Sequence, residues 1–166
     1  METAIAALII LTVVMFGALT IVHTYLSSQD AIVESWREME ERLGERTRTN
    51  LSPVSAETNG SGSQVYVTLS NDGDTKLADF DQWDVIVQYD TDGNGDYDAV
   101  EWFSYHASPP LNGEWSKAIG ENFEPGIFNP EETMAITIAV SSEISRTGVA
   151  VIGTPNGIST SKVFTR

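Results

Sequence analysis

Residues 4–22 read AIAALIILTVVMFGALTIV, a run of 19 residues without a single charge. At 1.5 Å of rise per residue, a helix of that length measures about 28 Å, close to the thickness of the hydrocarbon core of a bilayer. A helix that is apolar on every side must be buried, either in lipid or against other helices. The rest of the chain is best understood from this requirement.

The helical pattern continues beyond the apolar run. Larger apolar residues recur at spacings of three and four, which keeps them on one face of a helix, while charged residues fill the other face. The first clear helix breaker is Gly44. The pattern predicts one helix over residues 3–44, inside an N-terminal segment 1–49. The residues of this apolar stripe are Tyr25, Leu26, Ile32, Val33, Trp36, Met39 and Leu43.

Composition narrows the classes of function. The 166-residue chain has 24 acidic and 9 basic side chains, a formal net charge of −15. Residues 64–166 alone have 16 acidic and 5 basic side chains, which gives −11. Nucleic acid is therefore not an expected partner, because phosphate binding requires the opposite sign of charge. The chain contains no cysteine, so disulfides and thiol chemistry are excluded.

Residues 50–63, NLSPVSAETNGSGS, have the Ser, Asn, Gly and Pro content of a linker. Asn50 and Asn59 begin Asn-x-Ser sequons, which are candidate glycosylation sites in a glycoprotein exposed outside the cell. The alternative is that two sequons arise by chance in a segment rich in Asn and Ser.

From residue 64 onward the pattern is that of short β-strands separated by Gly, Asn and Pro turns. Val85, Val87 and Tyr89 alternate with Ile86 and Gln88, which predicts a well-buried strand over 83–89. The predicted fold class is α+β, a long N-terminal hydrophobic helix followed by an antiparallel β-sandwich over 64–166. The predicted strands are 64–70, 83–89, 99–105, 133–141, 147–154 and 159–164, with shorter pieces at 76–80 and 115–119.

Residues 90–101, DTDGNGDYDAVE, match the twelve-residue calcium-loop pattern. In that pattern, oxygen atoms of alternate residues converge on a hard cation, a glycine permits the sharp turn, and a final carboxylate closes the shell. The alternative is an acidic hairpin tip in an acidic protein, since the flanking residues are typical of strands rather than helices. The predicted calcium ligands are Asp90, Asp92, Asn94, Asp96, Asp98 and Glu101.

Candidates for catalysis are weak. The two histidines, His23 and His106, stand in no recognisable catalytic spacing, and neither a nucleophile elbow nor a phosphate-binding glycine loop is present. An enzyme is not expected.

Self-association of the helix explains more of the pattern than lipid alone, because the stripe continues past the membrane-length run. Small residues in the run would let neighbouring helices approach closely. A head-to-tail contact repeated without closure would then give a helical polymer. The residues predicted to pack in such a filament core are Ala4, Ala7, Leu8, Leu11, Val14, Gly17, Ala18, Ile21 and Tyr25.

Several short motifs occur in an order that resembles the archaellin and type IV pilin-like superfamily. They follow the apolar helix as Leu-Ser-Asn-Asp-Gly at 69–73, Trp-Asp-Val-Ile-Val at 83–87, Phe-Asn-Pro-Glu-Glu at 128–132 and Gly-Thr-Pro-Asn-Gly at 153–157. The resemblance implies an immunoglobulin-like outer domain and helices packed into an extracellular filament.

The function implied is that of a structural subunit of an archaellum-like motility filament, or flagellin, at the cell surface. Its partners would be many copies of itself and the inner-membrane assembly and motor machinery, and the chain would be held in the membrane before assembly. The alternative is a membrane-anchored minor pilin-like protein that binds the cell envelope or another filament component, or a subunit of an adhesion pilus.

Overall fold

The computed structural model describes residues 2–107, 109–120 and 123–166, so Met1, Ser108, Glu121 and Asn122 lie outside the described residues. The chain divides into two compact units, Met1–Leu43 and Gly44–Arg166. The second unit is called the β-domain below.

One helix, α1, occupies Glu2–Arg48 and ends only after the two arginines of its last turn, Arg46 and Arg48. It is therefore longer than the predicted 3–44, since Gly44 lies inside the helix. A single glycine costs about 1 kcal/mol relative to alanine in a helix interior, which a long helix tolerates. The cations near the C-terminus also interact favourably with the helix dipole.

Eight strands follow α1. Their order across the sheet is β1-β2-β6-β5-β4-β3-β7-β8, and all neighbours are antiparallel except β4 and β5, which share a short parallel pairing at Ser104–Glu114 and Tyr105–Trp115. The strands are β1 (Leu51–Thr58), β2 (Gln64–Asn71), β3 (Asp84–Tyr89), β4 (Ala99–Tyr105), β5 (Glu114–Ile119), β6 (Thr133–Ala139), β7 (Thr147–Gly153) and β8 (Ser159–Thr165).

The sheet folds into two halves that face each other, β1-β2-β6-β5 and β4-β3-β7-β8. The edge strands β1 and β8 lie against each other, so the sandwich is nearly closed into a barrel. The inward residues of both halves form one core that includes Trp83, Trp115, Phe103 and Phe128, and all of its members belong to the β-domain. The predicted α+β class, a long helix followed by an antiparallel sandwich, is confirmed.

Two segments differ from the sequence-based prediction. Residues 51–58 form strand β1, although the composition of 50–63 predicts a linker. Pairing with β2 overrides that composition, and a bulge between Pro53 and Ser55 absorbs the proline. Residues 76–80 contribute only a single bridge, Leu77 to Phe128, before the 3₁₀ helix Phe80–Gln82.

The end of α1 is held by the turn after β2. The backbone N–H groups of Asp74 and Asp72 donate to the carbonyls of Arg48 (2.8 Å) and Asn50 (2.9 Å). Gly73 lies between them, and a Cβ atom there would be 2.5 Å from the backbone nitrogen of Asn50. This turn therefore requires glycine because of close backbone approach.

Gly73→Ala should lower the free energy of unfolding by about 1–3 kcal/mol, because the backbone of the helix end must shift to admit the methyl group. Urea unfolding of the full chain in detergent, followed by tryptophan fluorescence, measures the change. Gly60→Ala is the matched control, since no atom lies within 4 Å of the Cβ position there. Equal stability of the two variants would contradict the close approach.

Candidate functional site

The first candidate site is the apolar half of α1. The helix passes the length and composition test for a membrane span, with a mean hydropathy of 2.8 in its most apolar window. Its large side chains are exposed within the single chain, for example Phe16 (74%) and Ile21 (71%). A helix that is apolar on every side must be covered by lipid or by other helices.

The polar side chains inside the apolar run are satisfied within the helix. The hydroxyls of Thr12 and Thr20 donate to the carbonyls of Leu8 and Phe16, both at 2.8 Å. In a bilayer every polar group must find its partner inside the protein, because water is absent there. These two threonines therefore add no unsatisfied hydroxyl to a membrane-spanning segment.

Beyond the run, α1 becomes polar on one face. Ser27 Oγ lies 3.4 Å from His23 Nδ1, and the Tyr25 hydroxyl accepts from the Gln29 amide at 2.7 Å. Side-chain pairs of this kind are typical of an aqueous or interfacial setting. The later members of the stripe remain exposed, including Trp36 (67%) and Leu43 (56%). A bilayer that covers residues 4–22 leaves these residues uncovered.

The nine residues predicted to form a filament core all lie on α1 and are all exposed within the single chain. This position is compatible with lipid or with other helices, so their packing in a filament stays a prediction. The two predicted glycosylation sites differ from each other in how accessible their side chains are. Asn50 is exposed after the end of α1, whereas the amide of Asn59 donates to Ser63 Oγ at 2.9 Å within a tight turn.

The second candidate site is the acidic loop between β3 and β4. Asp90 is fully buried, and its carboxylate accepts the backbone N–H groups of Asp92, Gly93 and Gly95 at 2.6–3.1 Å. Asn94 accepts the backbone N–H of Asp96 at 2.6 Å. Backbone hydrogen bonds to side chains thus shape the loop.

The remaining two predicted ligands, Asp98 and Glu101, also accept hydrogen bonds from other residues. Asp98 accepts the hydroxyl and the backbone N–H of Thr91, and these hydrogen bonds hold the pKa of Asp98 below its usual value. Glu101 points inward from β4, where it accepts from the Tyr89 hydroxyl (2.8 Å) and from the backbone N–H of Ser141 (3.2 Å).

Within the described residues, no group of three or more acidic, histidine or cysteine side chains is gathered in a geometry that could hold a metal ion. The six predicted ligands are close in sequence, but Glu101 is directed to Tyr89 rather than to the loop. A complete twelve-residue shell would require Glu101 to leave these partners. Calcium binding stays a prediction.

If the loop binds calcium, the ion should raise the melting temperature of chelator-treated protein by about 5 °C or more at saturation, because a ligand of the folded state stabilises it. Differential scanning calorimetry with and without millimolar calcium measures the shift. Asp92→Asn should reduce it, while Asp81→Asn, which removes an exposed acid outside the loop, should not. An unchanged melting temperature in the wild type would remove the prediction.

The buried phenol of Tyr89, which donates to Glu101, gives a testable pH dependence. The Tyr89 side chain is fully buried, and its burial, together with the hydrogen bond and charge of Glu101, raises the pKa of Tyr89 to about 12 from its usual 10.0. As the pH rises from 10 to 12, the unfolded chain loses the phenol proton before the folded chain does. Folding stability therefore falls across this window.

Tyr89→Phe should reduce the slope with which the free energy of unfolding falls between pH 10 and 12, because the phenol no longer titrates. The reduction should correspond to at most one proton. Urea midpoints at several pH values in this window measure the slope. Tyr97→Phe is the control, since it removes a phenol that is 43% exposed rather than buried. Identical slopes for wild type and Tyr89→Phe would contradict the raised pKa of the buried Tyr89 phenol.

A third feature was not predicted from the sequence. Strand β3, expected to be well buried, shows Ile86 on an outer face that is only partly covered. Across its neighbours in the sheet, Ile86 is paired with Trp102 on β4 and Val151 on β7. The sequence signal that could have revealed this outer face is the presence of large apolar residues on both faces of β3 and β7.

Fold and site together define a class: a β-sandwich protein with an N-terminal helix long and apolar enough to cross a membrane. No family model matches the chain. An uncharacterized protein of Archaeoglobus fulgidus is 26% identical over 163 residues, which are 98% of this chain and 94% of that protein.

Two solved structures narrow the comparison. The chain is similar to the archaellum periplasmic stator protein FlaG from Sulfolobus acidocaldarius, with 26% identity, a TM-score of 0.51, and coverage of 70% of this chain and 99% of that one. It is also similar to a chain in the complex of FlaF and FlaG from the same organism, with 26% identity, a TM-score of 0.50, and coverage of 69% and 87%.

These structures support the resemblance to archaellum proteins, but they correct the expectation that the chain resembles an archaellin or a type IV pilin. The matched proteins are archaellum periplasmic stator proteins rather than archaellins or pilins. The second structure contains FlaG in a complex with a different protein. The likeness gives no support to self-polymerisation, calcium binding or glycosylation.

Proposed function

We propose that this protein is a membrane-anchored, non-enzymatic component of an archaellum-type machinery, and that its β-domain binds other envelope or archaellum proteins outside the membrane. The observation that carries the proposal is the combination, in one chain, of a membrane-length helix with a sandwich similar to a periplasmic stator protein. The proposal is close to the alternative stated from the sequence, a minor protein that binds the envelope or another filament component.

The anchoring role follows from α1. Its uncharged run is exposed within the chain, its internal threonines are satisfied, and its first basic residue is Arg37. A lipid bilayer removes the apolar surface from water without any further protein. At about 25 cal/mol for each Å² of apolar surface, burial of such a helix is strongly favourable.

The binding role follows from the β-domain. It has its own core, and the FlaG chain of similar fold corresponds over 99% of its length to 70% of this chain. A domain of this kind offers loops and outer sheet faces to a partner and needs no catalytic group. We therefore place assembly contacts, rather than chemistry, on this domain.

A filament subunit is the second candidate. The observation in its favour is the exposed stripe that continues along α1 from Tyr25 to Leu43, beyond the length that a bilayer covers. Neighbouring helices would bury this stripe. In that case the chain would be a main constituent of the filaments themselves.

Deletion of the gene should abolish swimming on soft agar, and the full-length gene should restore it. Ala18→Asp should fail to restore swimming, because a carboxylate inside the apolar run is costly in a membrane helix, by up to about 2.5–3.5 kcal/mol at its centre. Ala31→Asp, in the charged part of α1, is the matched control and should restore it.

Filaments sheared from wild-type cells separate the two candidates. Mass spectrometry of these filaments should not find this chain as a main constituent if it is an envelope component. Normal swimming after deletion contradicts any role in motility, and abundance of the chain in the filaments favours the second candidate over the first.

A further inference from the structure

The outward face of strands β4, β3, β7 and β8 carries a continuous group of large apolar residues. In the sheet register, Trp102 pairs with Ile86 and Ile86 with Val151, while Val149 pairs with Val163. Gln88, between Val100 and Val149, completes the second row. The apolar members, called the outer apolar face below, are Ile86, Val100, Trp102, Val149, Val151 and Val163.

This face is not covered within the described chain. Val100, Trp102 and Val163 are 61%, 57% and 58% exposed. The outward residues of the opposite half of the sandwich are mostly Thr, Ser, Ala and Gln, and their one large aromatic residue, Tyr66, bonds its hydroxyl to Gln64 at 2.7 Å. The contrast indicates that one sheet face is adapted to water and the other to a partner.

The outer apolar face is also almost uncharged. Among the outward residues of these four described strands, Asp84 is the one charged side chain, at a corner of the face, and its carboxylate accepts from Trp102 Nε1 at 3.1 Å. The chain as a whole is at −15. The face is therefore a part of the sheet surface where two acidic molecules can approach with little repulsion.

We propose that the outer apolar face is the contact through which two copies of this chain pair, sheet against sheet. An uncharged apolar face is complementary to itself, as a two-fold contact between identical subunits requires. Two sheets that stack face to face interdigitate their side chains at a spacing of about 10 Å. Copies held in one membrane also meet at a raised effective concentration.

Two other occupants fit the face less well. Surfaces that rest on anionic lipids carry clusters of Lys and Arg, and the outward positions of these four described strands carry none. A basic protein partner would need acidic residues opposite its charges, and only Asp84 is available. The inference goes beyond the proposed function, since pairing of copies does not depend on a role in motility.

The absence of native cysteine makes a direct test possible. Val151→Cys places a thiol near the middle of the face, where two copies related by a two-fold axis bring it close to its own equivalent. The full chain in an excess of neutral detergent is treated with a short bismaleimide. Thr137→Cys is the matched control, because Thr137 is also half-exposed but lies on the polar outer face.

The proposal expects a covalent dimer from Val151→Cys and at least tenfold less from Thr137→Cys. Addition of Trp102→Glu to Val151→Cys should reduce the dimer roughly tenfold or more, as loss of a central aromatic anchor does at interfaces. Tyr66→Glu should leave the dimer unchanged. Circular dichroism confirms that the variants are folded.

Three results would overturn the proposal. The first is a monomer with no cross-link from Val151→Cys in folded protein. The second is equal cross-linking from both cysteine positions, which would indicate pairing through α1 alone. The third is a dimer that Trp102→Glu does not weaken.

Discussion

Removal of the 19-residue uncharged run from water is the constraint on which the rest of this structure depends. The run has no charged residue, and every member of the β-domain core lies within that domain. A helix that is apolar on every side is covered by lipid or by other helices. The satisfied threonine hydroxyls show that the helix needs no protein neighbour to enter lipid. Function follows from this external cover and from what the β-domain presents to its surroundings.

The β-domain contributes two different outer surfaces on one scaffold. Its inward residues are ordinary sandwich core, with Trp83, Trp115 and Phe103 among them. One outer face is polar. The other carries the exposed Trp102 and outward valines from β4, β7 and β8. Exposure of that much apolar surface costs solubility, which the charge of −15 restores elsewhere on the molecule. Such a division is typical of a domain that acts by binding rather than by catalysis.

Much of the fold follows from sequence pattern alone. Helical spacing predicts α1, and alternation with turn residues predicts most strands, because both signals are local. Strand β1 was missed because its composition is that of a linker and its pairing with β2 is not visible in its own residues. The candidate sites are harder to predict from sequence than the fold, because they depend on contacts between residues that are distant in the chain. The inward orientation of the Glu101 side chain depends on its hydrogen bond with Tyr89, twelve residues away. The outer apolar face depends on the register of four strands that are not all adjacent in sequence.

Flotation of cell membranes on a density gradient most directly tests whether lipid covers α1. Lysate is loaded at the bottom of the gradient, and the position of the full chain is followed with an antibody, with and without detergent. The account predicts that the chain rises with the lipid fraction and stays at the bottom once detergent is added. Recovery at the bottom in both conditions, as fibres that detergent does not dissolve, would contradict it and would show that helices rather than lipid cover the run.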